Sequence, residues 1–205
     1  LNDNDEKEVS SLYKRSSINL LLIGGLFFLL INCSVSELFK LLPEKGYAGG
    51  EMVVLLISLV KLYHMLLGNN GAIITNSKFY RITLPFGLGM ALSVYFLNRL
   101  FYFDLDFGTD GLALATFLTI FLFNSLKLLF VQIIFKMNPF TNKTFLMIAV
   151  IAVLFGIFYY WNFNFHPIIN ILLKSVLISL IYLFIVIKTN ISNEISLLAK
   201  RYIKI

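Results

Sequence analysis

Charge is scarce in this chain. Only 14% of its 205 residues are Asp, Glu, Lys or Arg, while 59% are hydrophobic and the mean hydropathy is +0.84. Soluble domains carry roughly a quarter charged residues, so this balance excludes an ordinary water-soluble domain and points to an integral membrane protein. Cysteine is nearly absent. Cys33 stands alone, which excludes an internal disulfide and a zinc site built on cysteines. Histidine is limited to His64 and His166, far apart in the chain. No nucleophile–base pairing, phosphate-binding loop or metal-ligand spacing occurs, so neither an enzyme nor a cofactor is expected. The net charge of +6 would raise the question of nucleic acid in a soluble protein. In a membrane protein it belongs to cytoplasmic loops, and no nucleic-acid partner is expected.

Apolar runs of helical length fill most of the sequence. They cover 17–42, 51–68, 83–103, 110–131, 144–161 and 167–187, six stretches of about 18 to 25 residues, each long enough to cross about 30 Å of hydrocarbon. Ile, Val and Phe are frequent, but no turn signals interrupt the runs, so helices are predicted rather than strands. Punctuation agrees with that reading. Ser16 and Ser17 can cap the first run and Pro43 stops it; Thr83 and Pro85 open the third, Thr109 or Asp110 the fourth, and Pro139 and Pro167 precede the last two. The expectation is an all-α polytopic membrane region over 17–187.

The two ends differ from this middle. Residues 1–16 are polar and of mixed charge, a cytoplasmic loop whose only apolar pattern is Val9, Leu12 and Tyr13. Asp3, Asp5, Glu6 and Glu8 and the lack of a small-residue cleavage site exclude a signal peptide, and Asn32 beside Cys33 spoils a lipoprotein box. Because the sequence starts at Leu1 with loop-like residues, a fragment of a longer protein is expected. The tail, 188–205, repeats Ile191, Ile195, Leu198, Tyr202 and Ile205 at helical steps, with Lys200, Arg201 and Lys204 mostly off that stripe. This predicts an amphipathic helix, either lying among membrane lipids or packed on the protein.

Orientation follows from the loops. The segments 1–16, 69–81, 134–143 and 188–205 hold eleven Lys and Arg; 42–50, 104–110 and 162–166 hold only Lys45. The bias places both ends of the chain in the cytoplasm. The pair Asp104 and Asp106 then reads as an ordinary acidic outer loop, and the acceptor sequons at Asn142 and Asn190 fall on the side that is not glycosylated.

Lys61, Arg99, Lys127 and Lys174 stand out as cations inside or at the edges of the apolar runs. Lys61 is about ten residues from either flank, near mid-membrane, where a lysine costs about 2.5–3.5 kcal/mol and should face protein or a wet cavity. Arg99 and Lys174 are read as snorkelling to an interface or pairing with polar neighbours. His64 shares a helix flank with Lys61. If Lys61 at mid-membrane, Arg99 nearer the outer face and Lys127 in the inner half share one cavity, they form a basic track that suits an anionic passenger. At 4 Å and an effective dielectric of 20, opposite charges attract by about 4 kcal/mol, enough to offset the cost of the buried lysine.

One family shares these landmarks. Leu42-Pro43-Glu44-Lys45 to Gly50, Leu59-Val60-Lys61-Leu62, Gly68-Asn69-Asn70-Gly71, Ser77-Lys78-Phe79-Tyr80-Arg81, Asn98, Gly111 to Thr116, Asn124, Lys127 and Asn138-Pro139-Phe140 occur in order and spacing over residues 9 to 145. They resemble the C-terminal half of bacterial polysaccharide biosynthesis proteins of the O-antigen flippase type, within the multidrug, oligosaccharidyl-lipid and polysaccharide exporter superfamily. The resemblance implies a two-lobed, fourteen-helix transporter of the bacterial inner membrane, of which these would be the last six helices, the N-terminal lobe being the missing partner. It implies that lipid-linked oligosaccharide, carried on an anionic polyprenyl pyrophosphate, is moved from the cytoplasmic to the outer leaflet for surface polysaccharide. The substrate-binding residues expected on this basis are Lys61, His64, Asn70, Lys78, Arg81 and Lys127. Phe103-Asp104-Leu105-Asp106 is more acidic than the family's outer loop, and Asp110 replaces a small residue. Gly111 with Ala115, and Gly87, Gly89 and Ala91, are expected at close helix contacts. The rival readings are a cation-coupled multidrug exporter of the same superfamily, which should place acids in the membrane, and a non-transporting scaffold, which has no need of Lys61 at depth.

Overall fold

The computed structural model describes residues 3–42, 49–163 and 165–191. Most of the tail helix expected over 188–205, and the loop carrying Lys45, lie outside the described residues. All regular structure among the described residues is helical: α1 (Asp3–Asn32), α2 (Val35–Leu41), α3 (Glu51–Leu66), α4 (Asn70–Thr75), α5 (Thr83–Asn98), α6 (Gly108–Phe135), α7 (Asn142–Tyr160) and α8 (Pro167–Lys188). Five helical stretches are long and apolar enough to cross a membrane: Glu6–Asn32, Tyr80–Asp104, Gly108–Phe135, Asn142–Tyr160 and Pro167–Lys188. The expected span at 51–68 is the exception. Its helix, α3, has 16 residues, about 24 Å against about 30 Å of hydrocarbon.

The chain forms two compact units. The first comprises Leu1–Ser17 and Met52–Pro139, the second Ile18–Glu51 and Phe140–Ile205.

In the first unit the polar start of the chain is helical from Asp3, not a loop. Glu6 and Glu8 sit in the first two turns of α1, where they complement the helix dipole. Val9 and Tyr13 give it a reason to order: Tyr13 is buried with Ile74, Val131 and Met137, and Val9, Phe130 and Phe135 pack against them. This cluster draws the start of α1, α4 and the end of α6 together. The helix dictates the fate of Ser17 as well. It is not a cap but lies within α1, fully buried, and its hydroxyl donates to the Leu66 carbonyl at the end of α3. Gly68 sits there at φ +60, and an added Cβ would meet the Ser17 Cα at 3.0 Å. A left-handed backbone and a neighbouring helix thus both require glycine, and together they end α3.

α5 is preceded by a 3₁₀ turn (Tyr80–Ile82) and followed by a π-helical stretch (Arg99–Asp104). There the Leu105 amide donates to the Leu100 carbonyl at 2.9 Å, five residues back, the widened π spacing. The expected close contacts divide. Gly111 faces the Phe101 carbonyl, 2.8 Å from where its Cβ would be, and Ala115 is fully buried. Gly89 meets the Phe123 ring at 3.0 Å, but Gly87 faces open space and Ala91 is exposed.

In the second unit α8 buries one face, Asn170, Lys174, Ile178, Tyr182 and Val186, all four residues apart. Tyr182 donates to the Leu22 carbonyl at 2.6 Å, and its Oη is 2.8 Å from a Cβ built on Gly25. α7 starts at a capping box between Thr141 and Thr144, and α8 at Pro167, with the His166 Nδ1 accepting from the Ile168 amide at 3.4 Å. The apolar span of α1 ends at Asn32, a break at Cys33 and Ser34 intervenes, and α2 follows.

The Gly68 geometry gives a direct test. Gly68→Ala should cost about 1–2 kcal/mol from the left-handed backbone alone, with Gly68→Val worse because of Ser17. Equilibrium unfolding in detergent should resolve both against wild type.

Candidate functional site

The residues predicted to bind substrate all fall in the first unit, and the fold sorts them into two places and one exception. Lys61 and His64 lie one turn apart on α3 and both are exposed; His64 follows the buried Val60 by four residues, at the edge of the face that α3 buries. α6 faces them with Asn124, Ser125 and Lys127. Ser125 gives its proton to the Phe121 carbonyl at 2.7 Å, so the Tyr63 hydroxyl, 2.7 Å from Ser125 Oγ, is the donor in that pair. The Tyr63 ring also stacks on Phe121, with centroids 4.6 Å apart. Asn124 is buried, and its Nδ2 donates to His64 Nδ1 at 3.3 Å. Nδ1 is therefore an acceptor, and the proton of the neutral ring resides on Nε2. His64 lies within the fields of both Lys127 and Lys61. The seam between α3 and α6 thus carries two cations, an imidazole N–H and an amide, held by a pair of side-chain hydrogen bonds.

Lys61 is less deep than its place in the sequence suggested. On α3 it stands about 15 Å from the start and about 8 Å from the end, because Gly68 stops the helix early. It is exposed and lines neither the cleft at Tyr13 described below nor the hollow at Arg99. Arg99 is exposed too, beside Tyr95, Asn98 and Phe103 at the far end of α5.

The second group is a basic aromatic turn. Phe79 wedges edge-on against Phe130 and Phe135 of α6, at 5.8 and 6.0 Å. Its neighbours Lys78 and Arg81 remain exposed, Lys78 Nζ 5.2 Å from the centre of the Phe79 ring and the Arg81 guanidinium 5.8 Å from that of Tyr80. Along α6 this turn is about 12 Å beyond Lys127, counting from 127 to 135. Asn70 is the exception. It opens α4 but is 2% exposed, and its Nδ2 has no hydrogen-bond partner, so it offers no surface to a ligand.

Sequence reasoning undervalued a polar cluster in the second unit. Lys174, 1% exposed, donates to the Cys33 carbonyl at 3.1 Å and to Asn162 Oδ1 at 2.8 Å. Pairing with polar neighbours was one of the two roles expected for it. Glu37 of α2, 2% exposed, accepts from Lys40 at 2.8 Å and is bonded to Asn170. Asn170 Nδ2 also donates to the Phe163 carbonyl at 2.8 Å. Burial works against ionising Glu37, but the bond and charge of Lys40, the Asn170 bond and the Lys174 charge outweigh it and hold the carboxyl below its usual range. The four-residue spacing of Asn170 and Lys174 with Ile178 and Tyr182 was the available signal. No group of three or more metal-ligating side chains occurs among the described residues.

Comparison of the chain with protein-family models, curated proteins and solved structures finds no match.

Two outcomes test the Lys174 cluster. Lys174→Met should destabilise the fold by about 1–3 kcal/mol, the cost of leaving the buried Cys33 carbonyl without its donor, read by unfolding in detergent. The depressed Glu37 pKa contributes stability above the ordinary value of 4.5, lost as pH falls through the lower folded value. The unfolding midpoint should therefore drop on acidification below about pH 4.5, and less steeply in Glu37→Gln.

Proposed function

We propose that the chain is part of a membrane transporter that moves an anionic lipid-linked oligosaccharide, of the polyprenyl pyrophosphate type, between leaflets. The observation that carries this reading is the seam where α3 and α6 set exposed Lys61 and His64 near half-buried Lys127, with His64 in the field of both lysines. A diphosphate accepts hydrogen bonds and carries negative charge, and the seam supplies ammonium groups and an imidazole N–H to it. Lys78 and Arg81, exposed on the turn whose Phe79 packs on Phe130 and Phe135 near the end of α6, supply a second stop.

The long apolar helices support placement in a membrane, and the resemblance set out above supplies the substrate class, the bacterial inner membrane and the second lobe. Within that reading the seam faces the passage, the oligosaccharide remains in water and the prenyl chain stays in lipid. The multidrug exporter gains little, since the buried acid, Glu37, is balanced by Lys40 and Lys174. A scaffold leaves the convergence of cations on the seam without a purpose.

The experiment is translocation of a fluorescent lipid-linked oligosaccharide by the full-length protein in proteoliposomes. Lys61→Ala and Lys61→Gln should each reduce the rate at least about tenfold, the equivalent of 1.4 kcal/mol, with Lys61→Arg retaining most of it. Lys127→Gln should fall between. Wild-type rates for the Lys61 variants at normal abundance would overturn the proposal.

A further inference from the structure

A second site lies at the basic end of the first unit. The start of α1, α4 and the end of α6 enclose a cleft of about 270 Å³. Val9, Ile73, Phe135 and Met137 make its apolar lining; Ser16, Asn76 and Ser77 contribute polar groups. Tyr13 also lines it, is 3% exposed, and its hydroxyl has no hydrogen-bond partner among the described residues. A buried hydroxyl left in that state favours a ligand that can complete it.

The volume is at the lower limit of small-molecule pockets, roughly 300 Å³. It is too small for an oligosaccharide headgroup and suits a segment of one hydrocarbon chain. Charge identifies the rest of the ligand. Lys14 follows Tyr13, Arg15 precedes Ser16, Lys78 follows Ser77 and Lys136 joins Phe135 to Met137, so four exposed cations adjoin lining residues in the chain. Glu8, beside Val9, is the one acid so placed among the lining residues named here. An apolar slot whose lining residues adjoin four cations and one acid is complementary to an anionic lipid.

We propose that this cleft binds one anionic phospholipid, with part of an acyl chain against Ile73, Phe135 and Met137 and the phosphate at the rim near Ser77 and Lys136. The Tyr13 hydroxyl donates to an ester oxygen at the junction of head and chain. The site is separate from the seam at Lys61, and its occupancy is read without any transport measurement, so it stands or falls apart from the function proposed above.

The test is native mass spectrometry of the full chain in a neutral maltoside detergent, with equimolar 1-palmitoyl-2-oleoyl phosphatidylglycerol and phosphatidylcholine. Phosphatidylglycerol should be retained at least about tenfold over phosphatidylcholine. Lys136→Gln should lower its retention about fivefold, the effect of one interfacial cation. Ala72→Trp, which fills the cleft, should abolish the preference. Tyr13→Phe keeps the cleft and removes only the hydroxyl: phosphatidylglycerol retention should fall severalfold, while the lipid-free thermal midpoint stays at or above wild type. Equal retention of the two lipids, wild-type retention in Ala72→Trp, displacement by millimolar inorganic phosphate, or a lower lipid-free midpoint in Tyr13→Phe would each overturn the proposal.

Discussion

The bond from Lys174 to the Cys33 carbonyl holds the second unit to one arrangement. An ammonium buried among apolar helices costs several kcal/mol unless it is satisfied, and here a backbone carbonyl and Asn162 satisfy it. The carbonyl it uses sits at the break between α1 and α2. A helix interrupted inside an apolar environment leaves backbone groups without partners, and those groups need protein to satisfy them. The lysine supplies a donor to the break, and the break supplies an acceptor to the lysine. Tyr182, two turns along the same face of α8, repeats the device on the Leu22 carbonyl. Between them the two bonds fix how α8 lies along α1 over about 12 Å.

The first unit is held differently. Its organising contact is apolar, the cluster of Tyr13, Ile74, Val131 and Met137, with Phe79 wedged against the neighbouring rings. Because α6 runs through both this cluster and the seam with α3, it sets the spacing between the two cationic groups. Two polar side chains of α6 serve the seam: Ser125 returns its proton to its own helix and receives one from Tyr63, while Asn124 fixes the His64 tautomer.

The sequence announced the helices through long apolar runs with polar or proline punctuation, and the bounds of α7 and α8 follow that punctuation closely. It was less informative where packing overrides composition. The charged start of the chain reads as loop because its helix is justified by two residues, Val9 and Tyr13, and by a partner surface more than sixty residues away. The length of α3 was overestimated because hydropathy continues past Leu66, whereas Gly68 and its contact with Ser17 end the helix. For the site, helical spacing alone paired Lys61 with His64. Their meeting with Asn124 and Lys127 is a tertiary fact, and the burial of Asn70 is its counterpart, since a polar residue beside a glycine looks exposed until its neighbours are known. Lys174 was visible as an anomaly, but its acceptor, a main-chain carbonyl 141 residues away, is not a property of any residue type.

The contrast between α5 and α8 implies two kinds of tolerance to sequence change. No residue of α5 is buried, and Leu84, Leu88, Leu92 and Phe96 all face outward. On that outward face apolar residues of different shapes are interchangeable, whereas Phe86, Met90, Val94 and Leu97 are half-buried and Gly89 lies under the Phe123 ring. Every fourth residue of α8 answers to shape and to a named partner instead. Across natural variants of this chain, α5 should therefore drift in identity while keeping its hydropathy, whereas Asn170, Lys174, Ile178 and Tyr182 should change together or not at all.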